Sequence, residues 1–372
     1  MPSNEPKKNQ SSSRESSAVV LPPTVQPIEA LTAGFLTLCH QTGATGATVY
    51  FRGAKVGDLE ESKHPQRADL ASCTKSMVAL AAFRLQDLGL IDLDMNVASL
   101  MPEWTDWQRG DYPMITLRHL LTQRSGLPGN KYFLPEDRVR SVNGDLQFFN
   151  QFEATDDLNL RASFHPVQHT PGTYFDYSNP GSQLAAAVLE RVLLQKRGIS
   201  LAEFVRREIF EPLEMYNSAL ATNNGVTVGY GGMTSTAGDL AQVGLMLLNR
   251  GTFKDAVLLS PDSVVEMLSI VSNVPEQGSS YAHLWWVQPE SRFLAAAGDR
   301  ANLLIIFPDQ NLVLSRTQSS SQFAVDDARI YERVLQEEQR KVRTFWESFT
   351  PMVREFITSF PGSRDSDLST IF

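Results

Sequence analysis

The chain has 372 residues, of which 42% are hydrophobic, a formal net charge of −9 and a pI near 5.3. This length and composition predict a globular protein with a large core, and the acidic balance argues against a nucleic-acid-binding surface. Two cysteines are too few for a disulfide framework, and no apolar run predicts a signal peptide or an integral membrane segment. We therefore expect a cytoplasmic protein that acts on a small molecule.

The first segments of the chain combine a polar tail, a helix and a hairpin. Residues 1–24 contain few groups able to bury area, which predicts a disordered N-terminal tail. Residues 25–40 show a mostly helical pattern. Residues 43–58 contain an apolar run, 47–51, followed by a glycine turn, and this pattern is typical of a β-hairpin.

A serine and a lysine stand three positions apart where the next helix starts. In the run Ser72-Cys73-Thr74-Lys75 the first and last residues share a helix face, so their side chains can meet. The apolar run that follows closes at Gly89, which predicts a buried helix. Its free N–H groups favour negative charge near Ser72, and burial favours a neutral amine on Lys75. The spacing predicts a nucleophile with a base, although a serine in this place is usually only a helix cap.

Other candidate nucleophiles and metal ligands are weaker. Cys73 is expected to be packed core, because no histidine lies at a spacing that would pair with it. His165 and His169 are four residues apart, but Pro166 and Pro171 prevent the continuous helix that would set them on one face. We infer no metal site and no cofactor.

The second chemical motif is Tyr177-Ser178-Asn179, the chain's only Tyr-x-Asn. By itself Tyr177 can be an ordinary buried aromatic residue with a satisfied hydroxyl, and Asn179 before Pro180 can be a simple turn residue.

Strands return near the end of the chain. Apolar runs predict strands at 281–287, 292–297, 303–307 and 312–316, whereas the pattern between the hairpin and these strands is mostly helical. The fold class is therefore α/β (α+β), with an antiparallel sheet built from both chain ends and flanked by helices. The sheet part is expected at about 25–70 and 279–342 and the inserted, mostly helical part at about 71–278, with a cleft between them.

These motifs resemble the serine β-lactamase and penicillin-recognising enzyme family, in which Ser-x-x-Lys, Tyr-x-Asn and a Lys/His-x-Gly element line one cleft. The likeness spans roughly Gly43 to Thr317. The further segments that are similar to the family are 85–94, 115–127, 171–179 and 232–241. The Phe-x-Tyr-Ser-Asn run and the Trp285-Trp286 pair most resemble the class C-like branch that includes 6-aminohexanoate-dimer hydrolases and related esterases. The resemblance implies a β-lactamase/transpeptidase-like fold and cleavage of a small amide or ester through an acyl-enzyme on Ser72.

The third motif departs from the family pattern. Ala296-Ala297-Gly298 stands where the family has Lys/His-x-Gly. The missing cation puts recognition of a carboxylate-bearing substrate in question, and with it β-lactamase or peptidoglycan peptidase activity. Amidase and esterase members of the branch also lack this cation.

The resemblance also implies the remaining site residues. It places Tyr177 beside Lys75 as a proton-handling pair, in which a phenol beside an ammonium ionises more easily and a dry lysine is more easily neutralised. Either of them can be the base, since coupled groups titrate as a pair. Asn179 is expected to orient Lys75 or the substrate carbonyl. The backbone N–H groups of Ser72 and of Asp299 are the expected oxyanion donors, and Gly298 is expected to let its strand approach closely. Tyr132 lies roughly where the nylon-oligomer branch places a tyrosine that faces the substrate.

Two alternatives to an amidase remain. One is a carboxylesterase or acyltransferase of the same fold, whereas an α/β-hydrolase is disfavoured because the chain has no Gly-x-Ser-x-Gly. The other is a catalytically inactive ligand-binding relative, which the lost cation favours and the retained Ser72, Lys75 and Tyr177 oppose.

Residues 343–372 form a C-terminal helical extension beyond the resemblance. Residues 325–348 have a helix-forming composition, and Thr350-Pro351 predicts the start of a second helix that runs through Phe360. Apolar residues at helical spacing form one face: Val342, Phe345, Trp346, Phe349, Met352, Val353, Phe356, Ile357 and Phe360. We expect this face to pack on the protein's own sheet, with a homodimer contact or membrane-surface docking as alternatives.

Overall fold

An eight-stranded antiparallel sheet forms the centre of the fold. The computed structural model describes residues 26–59, 66–129, 158–163, 165–275, 278–319 and 328–359. The strands of the large sheet, in chain order, are β1 (Gly46–Phe51), β2 (Ala54–Asp58), β9 (Ser272–Val274), β10 (Ser279–Tyr281), β11 (Trp286–Gln288), β12 (Phe293–Gly298), β13 (Asn302–Phe307) and β14 (Leu312–Thr317). Short two-stranded pairs outside it are β3 (Ala68–Asp69) with β6 (Thr234–Ser235), β4 (Thr222–Asn223) with β5 (Val226–Thr227), and β7 (Thr252–Phe253) with β8 (Ala256–Val257).

Helices cover both faces of this sheet. The α-helices are α1 (Gln26–Gln41), α2 (Cys73–Asp87), α3 (Val97–Leu100), α4 (Leu117–Leu121), α5 (Leu158–Ser163), α6 (Asn179–Arg197), α7 (Leu201–Val205), α8 (Ala237–Leu248), α9 (Pro261–Leu268) and α10 (Ala328–Ser359). A π-helical turn at Arg206–Phe210 follows α7, and 3₁₀ turns lie at Thr105–Gln108, Tyr112–Met114 and Asp299–Ala301.

The strand order is β2-β1-β14-β13-β12-β11-β10-β9, so the hairpin from the start of the chain pairs with a strand from its end. Val49 of β1 lies opposite Leu314 of β14, which lies opposite Ile305 of β13. Every residue of β13 and β14 is buried. This burial explains why β13 and the first half of β14 are apolar runs, as expected for strands covered on both faces. In the second half of β14 the buried Ser315 and Arg316 donate hydrogen bonds to backbone carbonyls. The predicted fold class is confirmed.

Side-chain alternation along β12 divides the interior into two cores. Leu294 and Ala296 face the larger core, which contains α2 and the other helices of the inserted region. Ala295 faces a smaller core under α1 and α10. Gly298, two residues after Ala296, therefore lies on the α2 side, where the active-site candidates are.

One predicted strand was wrong. Residues 281–287 form the end of β10, a tight turn and the start of β11 instead of one extended strand. Leu284 has a left-handed φ of 59°, and the N–H of Ala282 donates to the carbonyl of Trp285 at 2.9 Å. The turn is apolar because it is buried, and the N–H of Leu284 donates to the carbonyl of Leu121 at 2.9 Å. A buried turn can therefore have the same continuous apolar sequence as a buried strand.

The predicted break at Thr350-Pro351 was also wrong. One helix, α10, runs from Ala328 to Ser359 with Pro351 inside it, and the predicted domain boundary at residue 343 falls within this helix. An interior proline removes one helical hydrogen bond and costs about 3 kcal/mol. The buried side chains of Phe345, Phe349, Val353 and Phe356 lie on both sides of the proline. Since burial of each contributes about 1.5–3 kcal/mol, their packing exceeds that cost.

The apolar face of α10 packs within the chain, as expected. Phe349 stacks on Phe345 with ring centroids 5.2 Å apart, and its ring lies 5.9 Å from that of Phe35 in α1. These side chains complete the smaller core against β1, β13 and β14. Trp346 stays 36% exposed and Phe360 lies outside the described residues, so this packing accounts for the remaining apolar side chains of the predicted face. In the part of the chain that the structure describes, no helix is both long enough and apolar enough to span a membrane.

We expect Phe349→Ala to lower the free energy of unfolding by about 3–5 kcal/mol, because it leaves a cavity between α1 and α10. Urea unfolding followed by circular dichroism measures this change. Glu347→Ala, at an exposed position on the same helix, is the matched control and should change stability little. Equal stabilities of the two variants would contradict the packing of α10 on α1.

A buried histidine makes the fold sensitive to acid. His283 lies in the larger core, where its Nδ1 is 3.3 Å from the carbonyl of Met267 and its ring meets that of Phe83 edge to face. Burial, with a smaller effect of the Arg118 charge, lowers the pKa of His283 to about 4. The folded protein therefore holds this imidazole neutral at pH values where an unfolded chain protonates it.

We expect His283 to contribute a loss of stability as the pH falls from about 6.5 towards 4, because the unfolded state then binds a proton that the folded state does not. The loss reaches roughly 3 kcal/mol at the acid end. Comparison of urea unfolding at pH 7.5 and pH 4.5 measures it. His283→Gln removes the titrating group and should make the difference between the two pH values smaller; an unchanged difference would exclude His283 as its cause.

Candidate active site

Ser72 lies at the N-terminus of α2 with its hydroxyl available. Its φ and ψ of −67° and −8° are already helical, and its side chain makes no capping hydrogen bond. Ser72 therefore stands at the N-cap position of α2, but its side chain does not cap the helix. From Ala71 to Phe83 every residue except Ser72 is buried. The preceding Ala71 has a left-handed φ of 47°, and its N–H donates to Asp69 Oδ1 at 2.8 Å. This bend leads directly into Ser72, which is half-buried.

Lys75 lies one turn further along α2, as the spacing predicted. Its Nζ is 2.9 Å from Ser72 Oγ and donates to the carbonyl of Tyr230 at 2.8 Å. The side chain is 1% exposed. Removal from water disfavours the ammonium form of a lysine. A hydroxyl within hydrogen-bond distance of a buried amine is the arrangement of an activated nucleophile.

Tyr177 completes a cluster of three polar groups. Its hydroxyl is hydrogen-bonded to the side chain of Ser72, and the Nζ of Lys75 lies 4.9 Å from the centre of its ring. Burial raises the pKa of Tyr177 well above its usual range, and the bond to Ser72 only partly offsets this effect. The phenol is therefore held protonated at neutral pH.

Aromatic side chains form the wall behind Tyr177. The ring of Trp286 in β11 stacks on Tyr177 at 5.8 Å with an interplanar angle of 21°. Tyr281 meets both rings edge to face, at 6.2 Å from Tyr177 and 4.7 Å from Trp286. Phe175 lies 5.0 Å from Tyr281. The wall is thus rigid and apolar beside the three polar groups.

Gln123 holds the segment that carries Tyr177. Its backbone carbonyl accepts the N–H of Asp176 at 3.0 Å, and its Oε1 accepts the N–H of Ser178. Ser178 caps α6 through its hydroxyl, which accepts the N–H of Gly181 at 3.0 Å. Asn179 is therefore the first residue of α6 and is 8% exposed. Gln123 ties the segment on both sides of Tyr177, so the position of the phenol is well defined.

Residues 228–233, between β5 and β6, contact the chain on both sides of Ser72. The carbonyl of Tyr230 accepts from Lys75 Nζ, and the N–H of Met233 donates to Thr74 Oγ1 at 3.0 Å. The carbonyl of Met233 accepts the N–H of Leu70 at 2.8 Å. The short β3 and β6 pair extends this contact. The loop thus fixes the chain both before and after the serine.

Gly298 brings the end of β12 against the same region. A Cβ at this position would lie 2.1 Å from the carbonyl oxygen of Leu70 and 3.2 Å from the backbone N of Ser72. No side chain fits in this space, so the close approach of the strand requires glycine. Ala296, two residues earlier on the same face of β12, is 1% exposed and carries no charge. Asp299 follows Gly298, and its side chain is 70% exposed.

The structure thus brings together Ser72, Lys75, Tyr177 and Gly298, four of the residues that the sequence singled out. Asn179 begins the adjacent helix, and Asp299 follows the glycine. Tyr132 lies outside the described residues. Cys73 is fully buried, its thiol lies 3.4 Å from the carbonyl of Asn302, and burial raises its pKa far above the usual range. The prediction of a packed core cysteine is confirmed.

Two parts of the site were missed by sequence reasoning. The Tyr230 carbonyl is a backbone atom 155 residues from Lys75, so no side-chain pattern marks it. Trp286 was noticed only as half of a tryptophan pair. The pair itself did not show which ring meets Tyr177, because Trp285 lies fully buried in the turn whereas the partly exposed Trp286 begins β11. Among the described residues, no group of three or more His, Cys, Asp or Glu side chains is placed to hold a metal ion.

Comparison with known proteins agrees with this geometry. The family model described as Beta-lactamase matches residues 43–339. Esterase EstB from Burkholderia gladioli is 35% identical over 182 residues, which cover 46% of this chain and 43% of the esterase, less than half of its length.

Two solved structures are similar in fold. A candidate 6-aminohexanoate-dimer hydrolase from Bacillus anthracis has a TM-score of 0.62 and 19% identity over 84% of this chain and 81% of its own. A D-stereospecific amidohydrolase from Streptomyces sp. has a TM-score of 0.62 and 22% identity over 82% of this chain and 98% of its own. These likenesses concern the fold, whereas the family model covers most of the sequence. The chain belongs to the beta-lactamase family.

Proposed function

We propose that the protein is a serine hydrolase that cleaves a small amide or ester through an acyl-enzyme on Ser72. The observation that carries the proposal is the contact of 2.9 Å between Ser72 Oγ and the buried Nζ of Lys75, with the hydroxyl of Tyr177 on the same serine. A serine hydroxyl is a weak nucleophile until a neighbouring base removes its proton. Lys75 is buried and Tyr177 is half-buried against Trp286 and Tyr281, so the surrounding residues hold both groups beside Ser72.

In the first step Ser72 Oγ forms a bond to the substrate carbonyl carbon, and its proton passes to the lysine and tyrosine pair. The tetrahedral intermediate then breaks its bond to the leaving alcohol or amine, which takes the proton from the pair. Water attacks the resulting acyl ester in the second step, releases the carboxylic acid and restores the hydroxyl of Ser72. The sequence of steps needs no cofactor for its proton and electron balance.

Within the pair, we propose Lys75 as the proton acceptor. Lys75 is almost fully buried, which disfavours its charged form, and its Nζ already contacts Ser72 Oγ. Tyr177 has a pKa raised by burial and therefore keeps its proton. A protonated phenol on the serine oxygen suits donation to the leaving group.

The backbone N–H groups of Ser72 and Asp299 are the proposed oxyanion donors. The N–H of Ser72 precedes the first turn of α2, where helical N–H groups have no carbonyl to bind. Gly298 lies against this N–H and directs the chain so that Asp299 follows it. Two fixed donors at a developing oxyanion usually supply a large part of the rate enhancement. We propose that Asn179 orients Lys75 or the substrate carbonyl, and that Tyr132 contacts the substrate.

The proposed substrate is uncharged where it meets β12. Ala296 supplies no cation for a carboxylate, and the aromatic wall of Phe175, Tyr177, Tyr281 and Trp286 suits an apolar acyl group. Esterase EstB and the amidohydrolase of similar fold carry the names of the two reaction classes concerned. We propose an ester as the preferred substrate, since the sequence likeness is to the esterase, with a small amide as the second class.

The test is pre-steady-state hydrolysis of p-nitrophenyl butyrate by the full chain. An acyl-enzyme that forms faster than it hydrolyses should release p-nitrophenol in a burst close to one equivalent per chain. A matched p-nitroanilide then compares ester with amide. If the protein neither turns over these probes nor reacts with a fluorophosphonate, the alternative of an inactive ligand-binding relative, which Ala296 favours, replaces the proposal.

A further inference from the structure

We infer that Asn302 is a positioning residue that sets the distance between the two sides of the oxyanion site. The inference rests on the proposed function, because it assigns the residue to the N–H groups of Ser72 and Asp299. Asn302 is the first residue of β13 and follows the turn Asp299–Ala301. It is fully buried, although asparagine is usually exposed.

The Asn302 amide bridges two chain segments that are distant in sequence. Its Nδ2 donates to the carbonyl of Asp299 at 2.8 Å and to the carbonyl of Asp69 at 3.1 Å. Its Oδ1 accepts the N–H of Gln318 at 2.7 Å, and this bond fixes the orientation of the amide. Its own carbonyl accepts from the thiol of Cys73, the residue after the serine. Asn302 therefore contacts the chain on both sides of Ser72.

The two bridged carbonyls belong to the segments that carry the proposed donors. Asp69 lies three residues before Ser72, and its side chain also holds the bend at Ala71. Asp299 is itself the second proposed donor residue. Between them, Gly298 lies in direct contact with Leu70. A change in the distance between these segments therefore changes the distance between the two N–H groups.

The turn that Asn302 closes is strained and needs such support. Arg300 and Ala301 both have left-handed φ angles, 59° and 54°, which cost of order 1 kcal/mol each in residues with a Cβ. The buried guanidinium of Arg316 binds their carbonyls at 2.7 and 2.8 Å from one side. Arg300 itself reaches Asp69 only at 3.5 Å, so the bridge of Asn302 is the stronger link to the serine segment.

Asparagine is the residue that this position requires. The bridge uses two N–H donors on one nitrogen and one oxygen acceptor, which a side-chain amide supplies and a carboxylate or a hydroxyl does not. An alanine or a serine would leave the carbonyls of Asp69 and Asp299 without this donor. The segments would then be free to separate, while the contacts of Ser72 with Lys75 and Tyr177 do not involve Asn302.

The experiment compares Asn302→Ala and Asn302→Ser with the wild-type chain and with Ser315→Ala. Ser315 donates a buried hydrogen bond to the carbonyl of Ala237 and contacts neither bridged segment, so its variant controls for lost stability. We expect kcat for p-nitrophenyl butyrate to fall about 10-fold to 100-fold in the Asn302 variants with little change in KM, because a small misplacement of transition-state donors has this effect. The Kd of phenylboronic acid, which forms a tetrahedral adduct with an active-site serine, should rise by a similar factor.

The Asn302 variants should still react with a fluorophosphonate at Ser72, at a lower rate. An unchanged Kd for phenylboronic acid, or a fall in kcat no larger than that of Ser315→Ala, would overturn the role of Asn302. If Asn302→Ala does not fold, Asn302→Ser, which keeps a polar side chain, decides by the same two readouts. A wild-type chain that fails to react with the fluorophosphonate would contradict the proposed function itself. This result is obtained without the Asn302 variants, so the two failures can be told apart.

Discussion

Replacement of Ser72 by alanine is expected to lower kcat for p-nitrophenyl butyrate by at least about 10⁴-fold, because it removes the hydroxyl proposed to form the acyl-enzyme. Steady-state hydrolysis at saturating ester measures the change. The neighbouring Cys73→Ala is the matched control. Its thiol is buried, and its raised pKa keeps it protonated, so the variant should retain most of the activity.

The same pair of variants tests the rival nucleophile. Loss of activity in a folded Cys73→Ala protein together with an active Ser72→Ala protein would assign the acyl-enzyme to the cysteine. Circular dichroism of both variants separates this result from a loss of structure, which matters because Cys73 is packed against β13.

Lys75→Ala and Tyr177→Phe are each expected to lower kcat by about 10²–10⁴-fold, the range for loss of a general acid or base. Both groups contact Ser72, so they act on one proton path. The double variant should therefore be much more active than the product of the two single effects predicts. Steady-state kinetics of the three variants measures this non-additivity.

Tyr174→Phe is the control for removal of a phenol, since Tyr174 is 52% exposed and lies three residues before Tyr177. It should retain wild-type kcat. Full additivity of the Lys75 and Tyr177 effects would show that the two residues serve separate steps. A wild-type rate in either single variant would remove that residue from the mechanism.

The reactive pair on α2 was predictable because its geometry is local. Helical periodicity alone places Lys75 one turn after Ser72, and the structure puts their reactive atoms 2.9 Å apart. Tyr177 is 102 residues further along, and its place in the site followed only from the family resemblance. The residues that support these groups, Gln123 and Asn302, act through long-range backbone contacts that no spacing in the sequence reveals.

The errors in secondary structure share one physical cause, because tertiary packing overrides local preference. Pro351 normally starts a helix, yet the core under α10 stabilises a continuous helix around it. The run at 281–287 is apolar enough for a strand, yet it turns at Leu284. The carbonyl of Leu284 accepts from the hydroxyl of Ser76 in α2, and its N–H donates to the carbonyl of Leu121 in α4. The fold class was less sensitive to such local errors, since it rests on which chain ends carry strands.

The central claim is that Ser72 is the nucleophile of a serine hydrolase. Its most direct test is reaction of the full chain with a fluorophosphonate, followed by proteolysis and mass-spectrometric mapping of the phosphonylated residue. We expect one adduct per chain, located on Ser72, with slower labelling in Lys75→Ala and none in Ser72→Ala. An adduct on any other residue, or no adduct in a folded wild-type protein, would contradict it.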